Sequence, residues 1–309
     1  MIRLTYDPEL VEEAVLLAET TMDRADARAF RRERDRLYDV ADIRERDARF
    51  HALHARWFTR ADLNRVIEQS LAEREGIAAR LTDGLVVRAL TRAEEGADLM
   101  DRVAVGAPNP APILVLRIRS ERLIDPERLR AFLRHELMHI ADMLDPAFGY
   151  QRTAPSSDDG PSHDNLLRDR YRVLWDVTID GRLANAGLTD AQVRDARRQE
   201  FATAFRMLGI RCEPAFDEWF DCGQPTHAGL LAFAATPQPP GPFAGHDGRC
   251  PLCRFPLAAL DPQPERLSAG ARAAIRARHS AWTIEQGLCS QCLDLYEARH
   301  AEAHGIVAR

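Results

Sequence analysis

Residues 125–146 read DPERLRAFLRHELMHIADMLDP and carry the clearest helix pattern in the chain. Asp125 offers an N-cap carboxylate, Pro126 suits the first helical position, and Pro146 stops the pattern. Between these ends, apolar side chains recur at i, i+4, i+7 and i+11, at Leu133, Leu137, Ile140 and Leu144. The segment therefore predicts an α-helix over residues 126–144 with one face in a core.

The same helix contains the motif His135-Glu136-Leu137-Met138-His139. Histidines four residues apart project from one helical face at neighbouring heights, so two imidazole nitrogens can bind one zinc ion. Glu136 is rotated from that face by about 100° and can reach a metal-bound water rather than the metal. The motif predicts His135 and His139 as metal ligands and Glu136 as a catalytic base. A chance surface pair without metal is the competing explanation.

On these residues the chain resembles the zincin metallopeptidases. The resemblance implies a zinc ion with three protein ligands, an edge strand that binds substrate backbone in extended form, and hydrolysis of peptide bonds. His135 and His139 match the metal ligands of that family, and Glu136 matches its base.

The third ligand must come from outside the motif. Asp176 and Asp180 lie one turn apart on a predicted helix that begins near residue 164, among apolar neighbours. One carboxylate could bind zinc while the other accepts a hydrogen bond from a ligand histidine. The layout is similar to the gluzincin E-x-x-x-D motif with Asp in place of Glu, which implies Asp176 as ligand and Asp180 as its support.

Alternatives to this assignment stay open at the level of sequence. Spacing alone does not separate Asp176 from Asp180 as the ligand, and both acids could lie on a solvated face. His163, downstream of the motif, resembles the arrangement in SprT-like peptidases, which often carry a C-terminal zinc ribbon. Asp145 stands where metzincin-like motifs place their last ligand, although that motif needs Gly where this chain has Asp142. Tyr150, Tyr171 and Arg182 are conceivable oxyanion stabilisers, with ordinary packing as the alternative.

Two C-x-x-C pairs near the C-terminus predict a second metal site, at Cys250, Cys253, Cys289 and Cys292. Four thiolates make a closed tetrahedral zinc site with no position open to substrate. The pattern resembles zinc-ribbon or treble-clef-like modules, and a module this small should need its metal to fold. The expected cofactors are thus one catalytic and one structural zinc ion. Cys212 and Cys222 are predicted to be buried free thiols.

The predicted fold class is α+β: a mainly helical zincin-like metallopeptidase domain with a small sheet, followed by the four-cysteine module. The predicted boundaries are a helical N-terminal region at 1–82, the catalytic domain at 83–234, a Pro/Gly linker at 235–247 and the four-cysteine module at 248–309. Strands are predicted at 84–90 and 113–119, and further helices at about 189–208, 214–235 and 264–281. His51 and His54 are predicted to lie on the surface of an N-terminal helix.

All 42 basic residues are Arg, and the chain contains no Lys. This composition excludes the chemistry of a Schiff-base lysine, a Walker A lysine and the kinase strand lysine. With a net charge of −6, nucleic acid is a possible partner that the composition does not favour. The sequence contains no secretory signal pattern and no apolar run of roughly 20 residues, so we expect no membrane span and a cytoplasmic location.

Together these features predict a zinc-dependent metallopeptidase acting on a protein or peptide substrate. Two alternatives are a SprT-like peptidase acting on DNA-associated proteins and a non-catalytic zinc scaffold. The four-cysteine module is a candidate surface for a protein partner.

Overall fold

The computed structural model describes residues 2–101, 112–152, 161–237, 250–253, 267–280, 282–284 and 287–303. The chain divides into two compact units. The first contains residues 1–152 and 179–193, and the second contains residues 153–178 and 194–309. The boundary between residues 178 and 179 falls inside one continuous helix, Pro161–Asn185. None of the helices in the described ranges is long and apolar enough to cross a membrane.

The first unit is built on a four-stranded sheet of order β1-β2-β4-β3. The strands are β1 Arg3–Tyr6, β2 Asp83–Arg88, β3 Gly96–Met100 and β4 Ile113–Ile118. Strands β1, β2 and β4 run parallel, and β3 runs antiparallel to β4, with Gly96 opposite Arg117 and Met100 opposite Ile113. The predicted strands at 84–90 and 113–119 are confirmed, although β2 begins one residue earlier and ends two residues earlier than predicted, and β4 ends one residue earlier. The edge strands β1 and β3 were not predicted.

The described part of the first unit also contains the helices α1 Pro8–Ala18, α2 Arg24–Leu37, α3 Ile43–Arg60, α4 Arg65–Ala72, α5 Glu75–Ala78, α6 Ser120–Leu123 and α7 Pro126–Leu144. Four of them begin at an aspartate whose side chain accepts a hydrogen bond from a backbone N–H of the first turn. These N-caps are Asp7, Asp23, Asp42 and Asp125. The helix predicted over residues 126–144 is confirmed at both ends.

Residues on both sides of position 82 share one sheet and one core, whereas the sequence predicted a separate helical region at 1–82. Strand β1 pairs with β2, so the N-terminal segment contributes an edge strand. The core that includes Trp57 and Ile67 continues through Leu114 and Leu116 to the apolar face of α7. On that face Leu133 and Ile140 are fully buried, as predicted.

The second unit contains the first part of α8 (Pro161–Asn185) and the helices α9 Gln192–Ala204, α10 Cys212–Phe220 and α11 His227–Ala235, with a 3-10 turn at Arg206–Arg211. Stacked and edge-on rings connect these elements, with Phe201 against Phe205 and Phe216. The helix predicted at 214–235 is interrupted at 221–226. The reason is that Thr226 caps a new helix by accepting a hydrogen bond from the N–H of Gly229.

Two further helices of the second unit lie near the C-terminus, α12 Ala269–Arg278 and α13 Ser290–Ala303. Helix α12 is shorter than the predicted 264–281, of which residues 264–266 and 281 lie outside the described residues. Residues 238–247 of the predicted linker also lie outside them.

One prediction about the N-terminal region was wrong. His54 was expected on the surface of its helix, but only 2% of it is exposed. Its ring lies 5.9 Å from that of Phe30 and is stacked at 6.0 Å on that of Phe50. Neither ring nitrogen has a hydrogen-bond partner among the described residues. Burial therefore lowers the pKa of His54, and the nearby Glu12 carboxylate opposes this only in part.

We expect His54 to make the protein less stable in mild acid. Because its pKa is lower in the folded state, the unfolded state takes up the proton first as pH falls below about 6.5, and stability drops. Replacing His54 with Leu removes this group, so the melting temperature should fall less between pH 7.5 and 5.5 than in the wild type. Scanning calorimetry at the two pH values measures the difference. His51→Gln, an exposed position on the same helix, should follow the wild type, and equal losses in wild type and His54→Leu would contradict the prediction.

Candidate metal centres

Helices α7 and α8 bring together three of the predicted metal ligands. The Nε2 atoms of His135 and His139 lie 3.3 Å apart. Two nitrogen ligands of a tetrahedral zinc ion, each at about 2.0–2.1 Å, would lie about 3.3–3.4 Å apart. Asp176 joins them, because one ligand atom from each of the three residues lies within 4.8 Å of the others. Among the described residues this His/His/Asp cluster could hold a metal ion, and neither His163 nor Asp145 belongs to it.

Asp180 contacts the first of the two histidines from the opposite side of the ring. Its Oδ1 atom lies 2.8 Å from Nδ1 of His135, and 8% of the side chain is exposed. A carboxylate in this position holds the proton on Nδ1 and leaves the Nε2 lone pair for a metal. As the spacing of the two acids predicts, Asp176 lies beside the histidines and Asp180 contacts the second nitrogen of His135. The individual roles of the two acids stay predictions.

Asp176 is 6% exposed and has guanidinium groups close to its Oδ2 atom. Arg172, one turn earlier on α8, approaches it at 3.3 Å, and Arg197 of α9 approaches it at 3.6 Å. Burying a carboxylate is costly unless it is paired. A carboxylate that binds a metal through one oxygen can keep such pairs on the other, so these contacts are compatible with a ligand role.

A second buried ion pair joins α7 to α8. Arg182 donates from Nη1 and Nη2 to the two carboxylate oxygens of Asp142, at 2.8 and 2.6 Å. The Asp142 side chain is 8% exposed and that of Arg182 is 18% exposed. Bidentate pairs of this kind fix geometry as well as charge. The sequence offered Arg182 as an oxyanion stabiliser, but both of these donors contact Asp142.

Other residues that the sequence offered as candidates have ordinary structural roles in the same region. Tyr171 is buried and its hydroxyl lies 2.7 Å from Nδ1 of His227. Asp145 is exposed and its side chain accepts a hydrogen bond from the N–H of Ala147. Cys212 and Cys222 are unpaired but only half-buried, rather than buried as predicted.

Glu136 lies outside the ligand cluster, at the outer edge of the sheet. Its Oε2 atom accepts a hydrogen bond of 2.9 Å from the backbone N–H of Ala97 in β3. The start of β3 is itself held by Glu95, whose side chain is 2% exposed and accepts two hydrogen bonds from Arg122, at 2.5 and 2.9 Å. Burial opposes ionisation of Glu95, but the contacts of Arg122 and Arg119 outweigh it and hold the pKa of this carboxyl below its usual value.

The four C-terminal cysteines form a second cluster. Sγ of Cys250 lies 3.9 Å from Sγ of Cys292, and Sγ of Cys253 lies 3.8 Å from Sγ of Cys289. These distances are far longer than a disulfide bond of about 2.05 Å. They match the separation of about 3.8 Å expected for two sulfurs bound at about 2.3 Å to a tetrahedral zinc ion. All four ligand atoms lie within 4.8 Å of one another.

Backbone N–H groups and a small core support this four-cysteine cluster. Burial alone would raise the pKa of the Cys250 thiol, but N–H donors from Cys253, Cys289 and Leu252 outweigh it and bring that pKa to about 7. Cys250, Cys289 and Cys292 are buried together with apolar residues of α12 and α13, and Cys253 is exposed. The other buried members of this core are Leu267, Ala271, Ile275, Trp282, Leu288, Leu293 and Tyr296.

No known protein family, curated protein or solved structure matches this chain. Its function is therefore inferred from the chemistry of the two clusters. Sequence reasoning missed Glu95, Arg122 and Asp142, because nothing local to these residues distinguishes a buried, paired charge from the many exposed ones.

We expect two bound metal ions per chain in the wild type and one in Asp176→Ala. Loss of one of three ligands should abolish stable binding at the His/His/Asp cluster. Asp180→Asn should keep two ions, with the dissociation constant of the His/His/Asp site raised about 10–100-fold. Elemental analysis after dialysis, followed by competition with a chromogenic chelator, measures both quantities. Asp169→Ala, an exposed acid on the same helix, is the control that should retain two ions. Two tightly held ions in Asp176→Ala would exclude Asp176 as a ligand.

We also expect Cys289→Ser to unfold the core around the four-cysteine cluster, because so few apolar residues surround it that the metal must supply much of its stability. Trypsin cleaves this chain only after Arg, and α12 carries Arg272, Arg276 and Arg278. Rapid cleavage after these residues, followed by mass spectrometry, should mark the variant and the chelator-treated wild type. Cys212→Ser removes a thiol outside the cluster. In this control, cleavage after the three arginines of α12 should be as slow as in the metal-loaded wild type. Similar protection in Cys289→Ser would show that the core folds without its metal.

Proposed function

We propose that this protein is a zinc-dependent metallopeptidase. The observation that carries the proposal is the pairing of a His/His/Asp cluster with a carboxylate that is not part of it. The Nε2 atoms of His135 and His139 lie 3.3 Å apart, close enough to bind one metal ion. Glu136 lies on the adjacent helical face and accepts a hydrogen bond from the edge strand β3. A structural metal site needs only its ligands, so a carboxylate on the adjacent helical face supports a catalytic role.

Zinc is the metal that the donor sets favour. Four cysteine thiolates in a tetrahedral arrangement are typical of structural zinc. Two imidazoles and one carboxylate are typical of catalytic zinc, which keeps its fourth position open. The resemblance of the HExxH motif to zincins supports the same choice.

The chain's own residues would divide the work of hydrolysis. A zinc ion held by His135, His139 and Asp176 would supply a Lewis acid that polarises the substrate carbonyl and lowers the pKa of a bound water. Glu136 would accept one proton from the attacking water as its oxygen bonds to the carbonyl carbon. As the carbon–nitrogen bond breaks, Glu136 would return that proton to the leaving amine, which leaves an acid and an amine as products.

Strand β3 gives this reaction a place for an extended substrate. It is an edge strand, and its Ala97 N–H points at the catalytic carboxylate. A polypeptide that pairs with an edge strand presents its backbone in a regular register and leaves alternate side chains for recognition. A peptide bond held there would lie beside Glu136.

We expect Glu136→Gln to lose about 10²–10⁴-fold in the rate of peptide-bond hydrolysis, because a positioned general base contributes about that much. The same variant should retain both metal ions, since Glu136 is not a member of the ligand cluster. Release of fluorescent fragments from labelled casein measures the rate, and elemental analysis measures the metal. Glu127→Gln, an exposed acid on the same helix, should cleave casein at the wild-type rate.

Two outcomes would contradict different parts of this proposal. Wild-type protein with two zinc ions and no cleavage of unfolded proteins would refute the peptidase proposal. Unchanged cleavage by Glu136→Gln would instead refute Glu136 as the base.

A further inference from the structure

The outer edge of β3 is covered by side chains of the same chain. Backbone polar groups alternate along a strand between its two sides, so Ala97 and Leu99 present theirs on the same side. The N–H of Ala97 donates to Glu136, and the N–H of Leu99 donates to Oδ1 of Asp98 at 2.8 Å. The carbonyl oxygen of Leu99 accepts a hydrogen bond from Nη2 of Arg152. Each of these contacts is made by a side chain rather than by a strand.

Leu99 is the residue at which an incoming strand would be blocked. In an antiparallel pair, two opposed residues can exchange both of their backbone hydrogen bonds. An added polypeptide would therefore use the N–H and the carbonyl of Leu99 together. Asp98 occupies the first of these groups and Arg152 the second, so both must move before the polypeptide can pair here.

The contact made by Arg152 is exposed to solvent and therefore weak. The Arg152 side chain is 46% exposed, and its second partner is Asp101, at 2.7 Å, whose side chain is 75% exposed. Exposed pairs of this kind are weak, and salt weakens them further. Natural edge strands that are left open tend to associate with other chains, and charged side chains are a common way to prevent this.

We propose that Arg152 is a displaceable cap on β3 that competes with an extended, unfolded polypeptide for the carbonyl of Leu99. This inference rests on the proposed function for its identification of the polypeptide as substrate. The docking step itself depends only on the geometry of the edge. Arg152 thus lowers the affinity of the site for unfolded chains and keeps β3 from pairing with other strands.

Binding of fluorescein-labelled, unfolded casein tests the cap directly. The measurement uses the full chain, loaded with zinc and carrying Glu136→Gln so that bound casein stays intact, and follows fluorescence anisotropy. Adding Arg152→Ala should lower the dissociation constant about three- to tenfold, the range for loss of one competing hydrogen bond. Arg152→Lys keeps the charge but loses the guanidinium fork, so its dissociation constant should lie between those of the protein with Arg152 and the Arg152→Ala variant. Thermal melting should confirm that both variants remain folded.

Arg3→Ala is the matched control for charge and for edge position. Arg3 lies on β1, at the opposite edge of the same sheet, with its side chain 82% exposed and 3.8 Å from Asp83. Its removal should leave the dissociation constant unchanged. Hydrogen–deuterium exchange should also show that casein slows the exchange of the amide of Leu99 in the Arg152→Ala variant. Slowing elsewhere but not on β3 would overturn the proposal.

The other outcomes separate the cap from the peptidase. An unchanged or weaker affinity in Arg152→Ala, or no casein binding by either protein, would overturn the cap. Tighter binding in Arg152→Ala without any cleavage by the protein that retains Glu136 would support the cap and refute the peptidase. Cleavage whose KM is not lowered by Arg152→Ala would support the peptidase and refute the cap.

Discussion

The contact between Nδ1 of His135 and Oδ1 of Asp180, at 2.8 Å, is the interaction on which the rest of the candidate site depends. It sets the rotation of the imidazole and the register of α8 beside α7. Asp176 lies one turn before Asp180 on α8, and one of its carboxylate oxygens lies within 4.8 Å of a ring nitrogen of His135. The Nε2 atoms of His135 and His139 are 3.3 Å apart, which is the separation of two nitrogen ligands on one tetrahedral zinc ion, so the arrangement suits a bound cation.

Each of the three buried acids on α7 and α8 has a positively charged or hydrogen-bonding partner. Asp142, Asp176 and Asp180 are each 6% exposed, a condition that an ionised carboxylate tolerates only with a partner. Arg182 pairs with Asp142, Arg172 and Arg197 approach Asp176, and His135 meets Asp180. A metal ion at the cluster would add positive charge beside the Asp176 carboxylate. The apolar face of α7 buries in the core at the same time, so one helix supports both the fold and the site.

The parts of the structure that local patterns specify could be predicted from the sequence. Helix α7 has its cap, its proline and its apolar period within about 20 residues, and both ends were predicted correctly. The HExxH motif and the spacing of Asp176 and Asp180 depend on helical geometry alone. Pairing between distant segments could not be predicted in this way. Strand β1 has four residues and meets β2 about 80 positions away, which is why residues 1–82 looked like a separate region. His54 shows the same limit, because Phe30 and Glu12, which lie near its ring, belong to other helices far away in the sequence.

The edge strand β3 contacts the proposed catalytic carboxylate and is also the proposed docking place for an extended polypeptide. It is short, and its sequence, GADLM, has little strand character. Other parts of the chain hold it in position: β4 pairs with it, and Arg122 binds the buried side chain of Glu95, the residue just before it. That clamp positions Ala97, whose N–H donates to the carboxylate of Glu136. The same edge carries Asp98 and Arg152 on the backbone groups of Leu99. A site that must accept an extended chain cannot leave its edge permanently paired, yet an open edge invites association. In the proposed cap, weak side-chain contacts would satisfy both conditions, because they cover the edge in the free protein and would yield to a polypeptide that offers a full set of backbone hydrogen bonds.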